Sequence, residues 1–265
     1  MTHEEKRIYL IKELLAESSD YSFVKIPCEA EAQKKLLRSL MNIRMPKPVS
    51  DAFLRVQDEY LTSENRLCGI VDAACLAPAA IDSRISLWQG DITTLKADAI
   101  VNAANSSLLG CFIPLHSCID NIIHSKSGIQ LRLLCSRIIN EQGHEEPVGT
   151  AKITPGFNLC CKYILHTVGP MVKGTLTDVD CSLLASCYRS CLSLACEYGC
   201  KTVAFCCIST GIFRFPNDKA AQIAVSTVKS FLETNTSIQK VVFNVFNNND
   251  LSVYKGLLEG ANENH

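Results

Sequence analysis

From about residue 81 onward the chain alternates short apolar runs with longer amphipathic stretches, and this alternation constrains the fold more than any other feature. Apolar runs predict strands at residues 84–89, 99–103, 162–168, 202–208 and 240–246. Patterns with a spacing of three and four predict helices at residues 119–140, 178–198, 216–233 and 251–258. Strands separated by helices imply an α/β domain with a mainly parallel sheet. Ligands of such folds bind outside the carboxyl ends of the strands. The loops after Gln89, Ala103, Ile208 and Phe246 are therefore the places to look for chemistry.

The first 80 residues read differently. Thr2-x-x-Glu5 is a capping box ahead of Ile8, Ile11, Leu14 and Leu15. A second helical pattern carries Leu36, Leu37, Leu40 and Met41 and should stop before Pro46 and Pro48. A third carries Phe53, Val56 and Tyr60, and Leu67, Ile70, Val71 and Ala74 continue the same spacing. The composition shifts at Ala77-Pro78-Ala79-Ala80. The expected division is a helical N-terminal extension over 1–80 and an α/β domain over 81–265.

Composition narrows the function classes. Hydrophobic residues make up 47% and charged residues 20%, enough for a packed core and too apolar for a disordered chain. A net charge of −1 disfavours non-specific nucleic-acid binding. No run of 18 apolar residues suggests a membrane span, and the first 25 residues mix charged and apolar residues, unlike a secretory signal. The 15 cysteines are odd in number, so they cannot all pair within one chain, and no C-x-x-C occurs. Cys187, Cys191, Cys196 and Cys200 recur at helical spacing and read as reduced core thiols of a cytoplasmic protein.

Three loops could carry chemistry. Gly90-Asp91-Ile92-Thr93 offers a sharp turn and an acceptor, and is also a common solvated turn. Ser209-Thr210-Gly211-Ile212-Phe213 could present successive backbone N–H groups to a phosphate, or simply join a strand to a helix that opens near Pro216. Between them, Cys111, His116 and Cys118 place two thiols and an imidazole within eight residues. Two thiolates and a neutral imidazole suit Zn²⁺, and three ligands match a site with one open position. Core cysteines are abundant in this chain, so spacing alone leaves metal binding and core packing both open.

Taken in order, several motifs resemble a macrodomain over about residues 84–258. They are Gly90-Asp91-Ile92-Thr93, then Ala99-Ile100-Val101-Asn102-Ala103-Ala104-Asn105, then Asp120-x-x-x-His124. Gly149-x-x-x-x-Thr154-x-Gly156, His166-Thr167-Val168-Gly169-Pro170 and Ser209-Thr210-Gly211-Ile212-Phe213 follow. The resemblance implies a three-layer α/β/α fold, with a mixed, mainly parallel sheet, that binds ADP-ribose. The family's Gly-rich first loop is replaced here by the Cys-His-Cys stretch. In this respect the chain is similar to a bacterial zinc-dependent branch that has a helical N-terminal extension and hydrolyses protein-ADP-ribose.

That branch implies zinc on Cys111, His116 and Cys118. It also implies Asp91 and the Ile92 amide on adenine, and Phe246 against the same base, where core packing is the alternative. Asn105, Cys118, Ile119 and Asp120 would face the distal ribose, and Ser209, Thr210, Gly211, Ile212 and Phe213 would wrap the diphosphate and that ribose. Asn105 would fix the ribose while Asp120 orients or deprotonates a water. His124 and His166 read as buried, hydrogen-bonded side chains. The expected substrate is carboxylate-linked mono-ADP-ribose on a protein, with a lipoyl-carrier protein modified by a sirtuin-type ADP-ribosyltransferase as the implied partner. An ADP-ribose reader without turnover, an O-acetyl-ADP-ribose deacetylase and a structural zinc domain remain alternatives at this stage.

Overall fold

Thr2 caps the first helix as its spacing predicts. Its Oγ1 accepts from the Glu5 N–H at 3.2 Å, and the Glu5 carboxylate accepts from the Thr2 N–H at 2.7 Å. A computed structural model describes residues 1–259, and the last six residues assigned to the α/β domain, 260–265, lie outside the described residues. Helices α1 (His3–Ala16), α2 (Ala30–Ile43) and α3 (Asp51–Leu67) open the chain. α2 ends three residues before Pro46, whose ring cannot continue a helix. Leu10, Ile11, Leu14, Leu37, Leu40, Phe53 and Tyr60 form a core of their own, which Ile129 joins from the second part of the chain.

The helical spacing at Leu67–Ala74 does not produce a helix. α3 stops at Leu67, and Gly69 turns the chain at φ +86°. Val71–Asp72 (β1) then pairs parallel with Leu95–Lys96 (β3) in a small two-stranded sheet of its own, so residues just before the expected boundary already pair with the α/β part.

Six strands build the main sheet: β2 (Ile85–Gln89), β4 (Ala99–Ala104), β5 (Ala151–Pro155), β6 (Tyr163–Val168), β7 (Thr202–Phe205) and β8 (Lys240–Val245). Their order is β2-β8-β7-β4-β6-β5, parallel throughout except for the β5–β6 edge pair. Helices α4 (Ile119–Ser127), α5 (Ile129–Gln142), α6 (Asp178–Glu197), α7 (Asn217–Thr234) and α8 (Asn248–Leu258) flank it. Ile100, Val101, Ile164, Leu165, Val203, Ala204, Val241 and Val242 are fully buried, as central parallel strands covered on both faces require. None of the 15 cysteines is disulfide-bonded, and Cys187, Cys191 and Cys200 lie in the core as read.

Four details depart from the sequence expectation. The helix expected over 119–140 is two helices, broken at Gly128 with φ +106°. β5 was not anticipated: it is an antiparallel edge strand ending in Pro155, and its residues are partly exposed rather than uniformly apolar. β8 ends at Val245, leaving Phe246 outside the sheet. The run 202–208 is a strand only to Phe205. β7 pairs with β4 at Ala99 and Ile100 alone, whereas β4 pairs with β6 along its whole length. Adjacent β4 and β7 send the chain into two separate loops at their carboxyl ends, the place where open α/β sheets have their ligand crevice. Among the described residues no helix is long and apolar enough to cross a membrane.

Candidate functional site

Beyond β4 the chain enters the stretch that carries Cys111, His116 and Cys118. Their ligand atoms lie within 4.8 Å of one another and all three side chains are half-buried. Cys111 Sγ stands 3.6 Å from His116 Nδ1. Zn–S and Zn–N bonds of about 2.3 and 2.0–2.1 Å at a tetrahedral angle place sulfur and nitrogen at about that separation. Cys118 is the N-cap of α4, and its Sγ accepts from the Asn121 N–H at 3.4 Å. Burial, reinforced by the neighbouring Cys111 and Asp120 and only partly offset by the Asn121 N–H, pushes the Cys118 thiol up to about 11. The Cys118 thiol would give up its proton near neutral pH only beside a bound cation, and soft sulfur with imidazole is the donor set zinc prefers. The residues present fit that ion.

Asp120 follows in the first turn of α4 and is 5% exposed. Its Oδ1 accepts from Asn102 Nδ2 at 2.8 Å, and Asn105 Nδ2 lies 3.5 Å from its Oδ2. Burial pushes its carboxyl up to about 6 despite the Asn102 hydrogen bond and the Arg132 charge. Asn105 donates to the Gly110 carbonyl at 2.9 Å, and Ser107 Oγ donates to Asn105 Oδ1 at 2.6 Å. Asn105, Cys118, Ile119 and Asp120 are thus brought together at the end of β4. His166 is buried and neutral between Thr154 Oγ1 at 2.9 Å and Asn102 Nδ2 at 3.2 Å, as read, and burial lowers it to about 3. His124 is buried too, but its ring nitrogens make no hydrogen bond, so only half of that reading holds. Gly110, at φ +77°, lets the chain pass this ring: a Cβ there would meet His124 at 2.8 Å.

Across the crevice, the loop after β7 uses its carbonyls internally. Arg214 N–H donates to Gly211 O at 3.0 Å, Phe215 N–H to Ser209 O at 3.0 Å, and Val172 N–H to Phe213 O at 2.9 Å. The N–H groups of Thr210, Gly211, Ile212 and Phe213 have no protein acceptor among the described residues. Ser209 and Arg214 hold the loop's shape at φ +66° and +57°, outside the region L-residues prefer. Free amides on a shaped loop ahead of α7 are the construction that receives phosphate oxygens.

At the other end, Asp91 caps a short 3₁₀ turn, Ile92–Thr94, and the Ile92 N–H has no protein acceptor among the described residues. Phe246 is 78% exposed beside this turn, which sets aside core packing for it. Gln89 Nε2 donates to its carbonyl at 3.2 Å.

The Macro domain family pattern matches residues 101–224. A protein-ADP-ribose hydrolase of Treponema medium is 56% identical over 97% of this chain and 100% of its own length. The chain belongs to the macrodomain family. A protein-ADP-ribose hydrolase of Staphylococcus aureus (strain COL) is 52% identical over 93% of this macrodomain chain and 92% of its own. Among solved structures, the Trypanosoma brucei macrodomain in complex with ADP-ribose superposes with a TM-score of 0.66 at 29% identity, covering 83% of this chain and 94% of its own. The Oceanobacillus iheyensis macrodomain with ADP gives 0.60 at 38% identity, covering 66% and 90%.

Several residues of this macrodomain's site escaped the sequence reading. Lys126 Nζ donates to Asp91 Oδ2 at 2.7 Å and to Thr93 Oγ1 at 2.9 Å. Burial pushes the Asp91 carboxyl up, but Lys126 and Thr93 more than offset it and hold it below the usual value. Asn102, quoted only within a motif, is the anchor of Asp120. Arg38 and Asn42, from the helical extension, touch the Cys-His-Cys loop. Lys126 lies two turns along α4 from Cys118, a spacing that could have flagged it. Nothing local in the sequence marks Arg38 or Asn42.

Proposed function

We propose that this macrodomain is a zinc-dependent protein-ADP-ribose hydrolase that removes mono-ADP-ribose from carboxylate side chains. The observation that carries the reading is the meeting of Asn105, Asp120 and the three metal-type ligands on one side of the crevice, opposite a loop of free amides. Asp91 and the Ile92 N–H would take the adenine edge, Phe246 would lie on its face, and the 209–213 amides would bind the diphosphate. The distal ribose would then lie over Asn105, Ile119 and Asp120.

Zinc held by Cys111, His116 and Cys118 would supply mainly an orienting centre beside that ribose, with modest Lewis acidity because two thiolates leave the site near neutral. Asn105 holds a ribose hydroxyl and fixes the sugar's orientation. Asp120, itself aligned by Asn102, orients a water and accepts its proton as the water oxygen attacks the anomeric carbon. The bond from that carbon to the protein carboxylate breaks, and the carboxylate leaves with the electron pair. Free ADP-ribose and the unmodified side chain are the products.

The resemblance supports a lipoyl-carrier protein, modified by a sirtuin-type ADP-ribosyltransferase, as the substrate protein. The unpaired thiols support a reducing compartment such as the cytoplasm. The test is to incubate the protein with carboxylate-ADP-ribosylated and serine-ADP-ribosylated proteins and quantify free ADP-ribose. Release from the carboxylate-linked substrate is expected. Tight ADP-ribose binding with no release from either substrate would mark a reader module instead.

A further inference from the structure

The loop that carries Cys111, His116 and Cys118 has almost no regular structure, and its shape comes from elsewhere. Leu115 sits at φ +57°, a conformation a leucine does not choose. Its N–H is held by Asn42 Oδ1 at 3.0 Å, and Asn42 is 1% exposed on α2. One turn earlier on α2, Arg38 Nη2 donates to the His116 carbonyl at 2.6 Å and to Asn121 Oδ1 at 2.8 Å. Asn121 passes the constraint on: its Nδ2 donates to the Cys111 and Ile113 carbonyls, and its N–H reaches Cys118 Sγ. Ser125 links the two, accepting from Asn42 Nδ2 at 2.8 Å and donating to the Asn121 carbonyl at 2.7 Å.

All three ligands are therefore reached from one face of one helix in the N-terminal extension. The extension is itself locked to the α/β part by Arg132. This buried guanidinium donates to Leu109 O and to the carbonyls of Met41, Asn42 and Arg44, where α2 ends. A helix packed only for stability would need apolar contacts. It would not need a guanidinium aimed at the backbone of a ligand residue.

We infer that Arg38 and Asn42 are positioning residues for the metal centre, so that the N-terminal helices set its zinc affinity. The inference rests on zinc occupying the Cys111, His116 and Cys118 set. Partners that orient metal ligands characteristically change affinity by about 10–100-fold when removed. Arg38→Met deletes the hydrogen bonds while keeping much of the stem. Arg38→Lys keeps the charge but loses the Nε–H donor to Ser125 and the planar guanidinium that aims Nη2 at both the His116 carbonyl and Asn121 Oδ1. Asn42→Asp keeps the acceptor for Leu115 N–H and loses the donor to Ser125. Lys34→Met, which removes the Lys34–Glu64 ion pair within the extension, serves as the control.

The readouts are zinc affinity by competition with a colorimetric chelator and the melting temperature of the metal-free and zinc-loaded full chain. The expected result is zinc binding weakened about 10–100-fold in Arg38→Met, less in Arg38→Lys, and unchanged in Lys34→Met. Metal-free melting should stay near wild type in Lys34→Met and fall less than zinc-loaded melting in Arg38→Met and Asn42→Asp. Should Arg38→Met not fold, Asn42→Asp must show a weaker loss in the same direction. Wild-type zinc affinity in both Arg38→Met and Asn42→Asp would overturn the inference while leaving the proposed function intact, as would equal melting losses with and without zinc. A wild-type chain that takes up no zinc would overturn both.

Discussion

Replacing Gly169 with alanine tests whether the amide loop depends on a close backbone approach. Gly169 follows β6, and a Cβ built there falls 2.0 Å from Ser209 Oγ and 2.8 Å from Ile208 Cγ2. The hydroxyl can swing aside at little cost, because it makes no hydrogen bond where it sits. The Ile208 methyl has less freedom, since that side chain is fully buried. Crowding of this kind costs about 1–3 kcal/mol. In a domain of this size, roughly 2–4 °C of melting temperature accompanies each kcal/mol. Ser209 begins the loop whose free amides would hold the diphosphate. Losing one hydrogen bond to a charged oxygen, at about 1.5–3 kcal/mol, weakens ADP-ribose binding at least about tenfold. Thermal melting and calorimetric titration with ADP-ribose measure the two effects. Ser209→Ala removes the 2.0 Å overlap but leaves the Ile208 methyl in place, so adding it to Gly169→Ala should recover little of the lost melting temperature. A Gly169→Ala protein with wild-type melting and wild-type ADP-ribose affinity would refute the reasoning.

Three further outcomes follow from the same geometry. Phe246→Ala should weaken ADP-ribose binding by about 1–3 kcal/mol, the range for base stacking, with unchanged melting because the ring is exposed; titration and melting curves check it. Asp120→Asn should lower kcat about 10²–10⁴-fold, the range for a lost general base, while single-turnover assays and titration find ADP-ribose still bound. Asp91, with its carboxyl held below the usual value, contributes stability that is complete above the unfolded value near 3.9 and fades as pH falls through the lower folded value. Lys126→Met removes the main hydrogen bond that depresses it, so acid unfolding followed by circular dichroism should begin at higher pH; an unmoved acid limb would contradict the role given to Lys126.

The strands that form the sheet's centre were legible because each is buried on both faces and so reads as a continuous apolar run. β5 was not, because an edge strand with a solvent side and a terminal proline has no such signature. The apolar run 202–208 misled for a related reason. Cys206 and Ile208 pack into the main core beyond the end of β7, and burial without sheet pairing looks the same in sequence. At Gly128 a single glycine ended one helix and began another, while the apolar spacing ran on across it. In the site, the residues that meet within α4 and its preceding loop could be read because they are close in the chain. Arg38 lies 78 residues from the His116 carbonyl it holds, and Asn42 73 residues from Leu115. Contacts of that range depend on how α2 packs, which no local pattern encodes.

The central claim is that hydrolysis of ADP-ribosylated protein depends on zinc at Cys111, His116 and Cys118. The most direct test strips the metal with a chelator, restores zinc stepwise, and measures bound zinc and released ADP-ribose on the same samples. The account predicts that release is lost on stripping, recovers in proportion to bound zinc, saturates near one zinc per chain, and does not recover in Cys118→Ala. Full release from the stripped protein, or from Cys118→Ala without zinc, would contradict it.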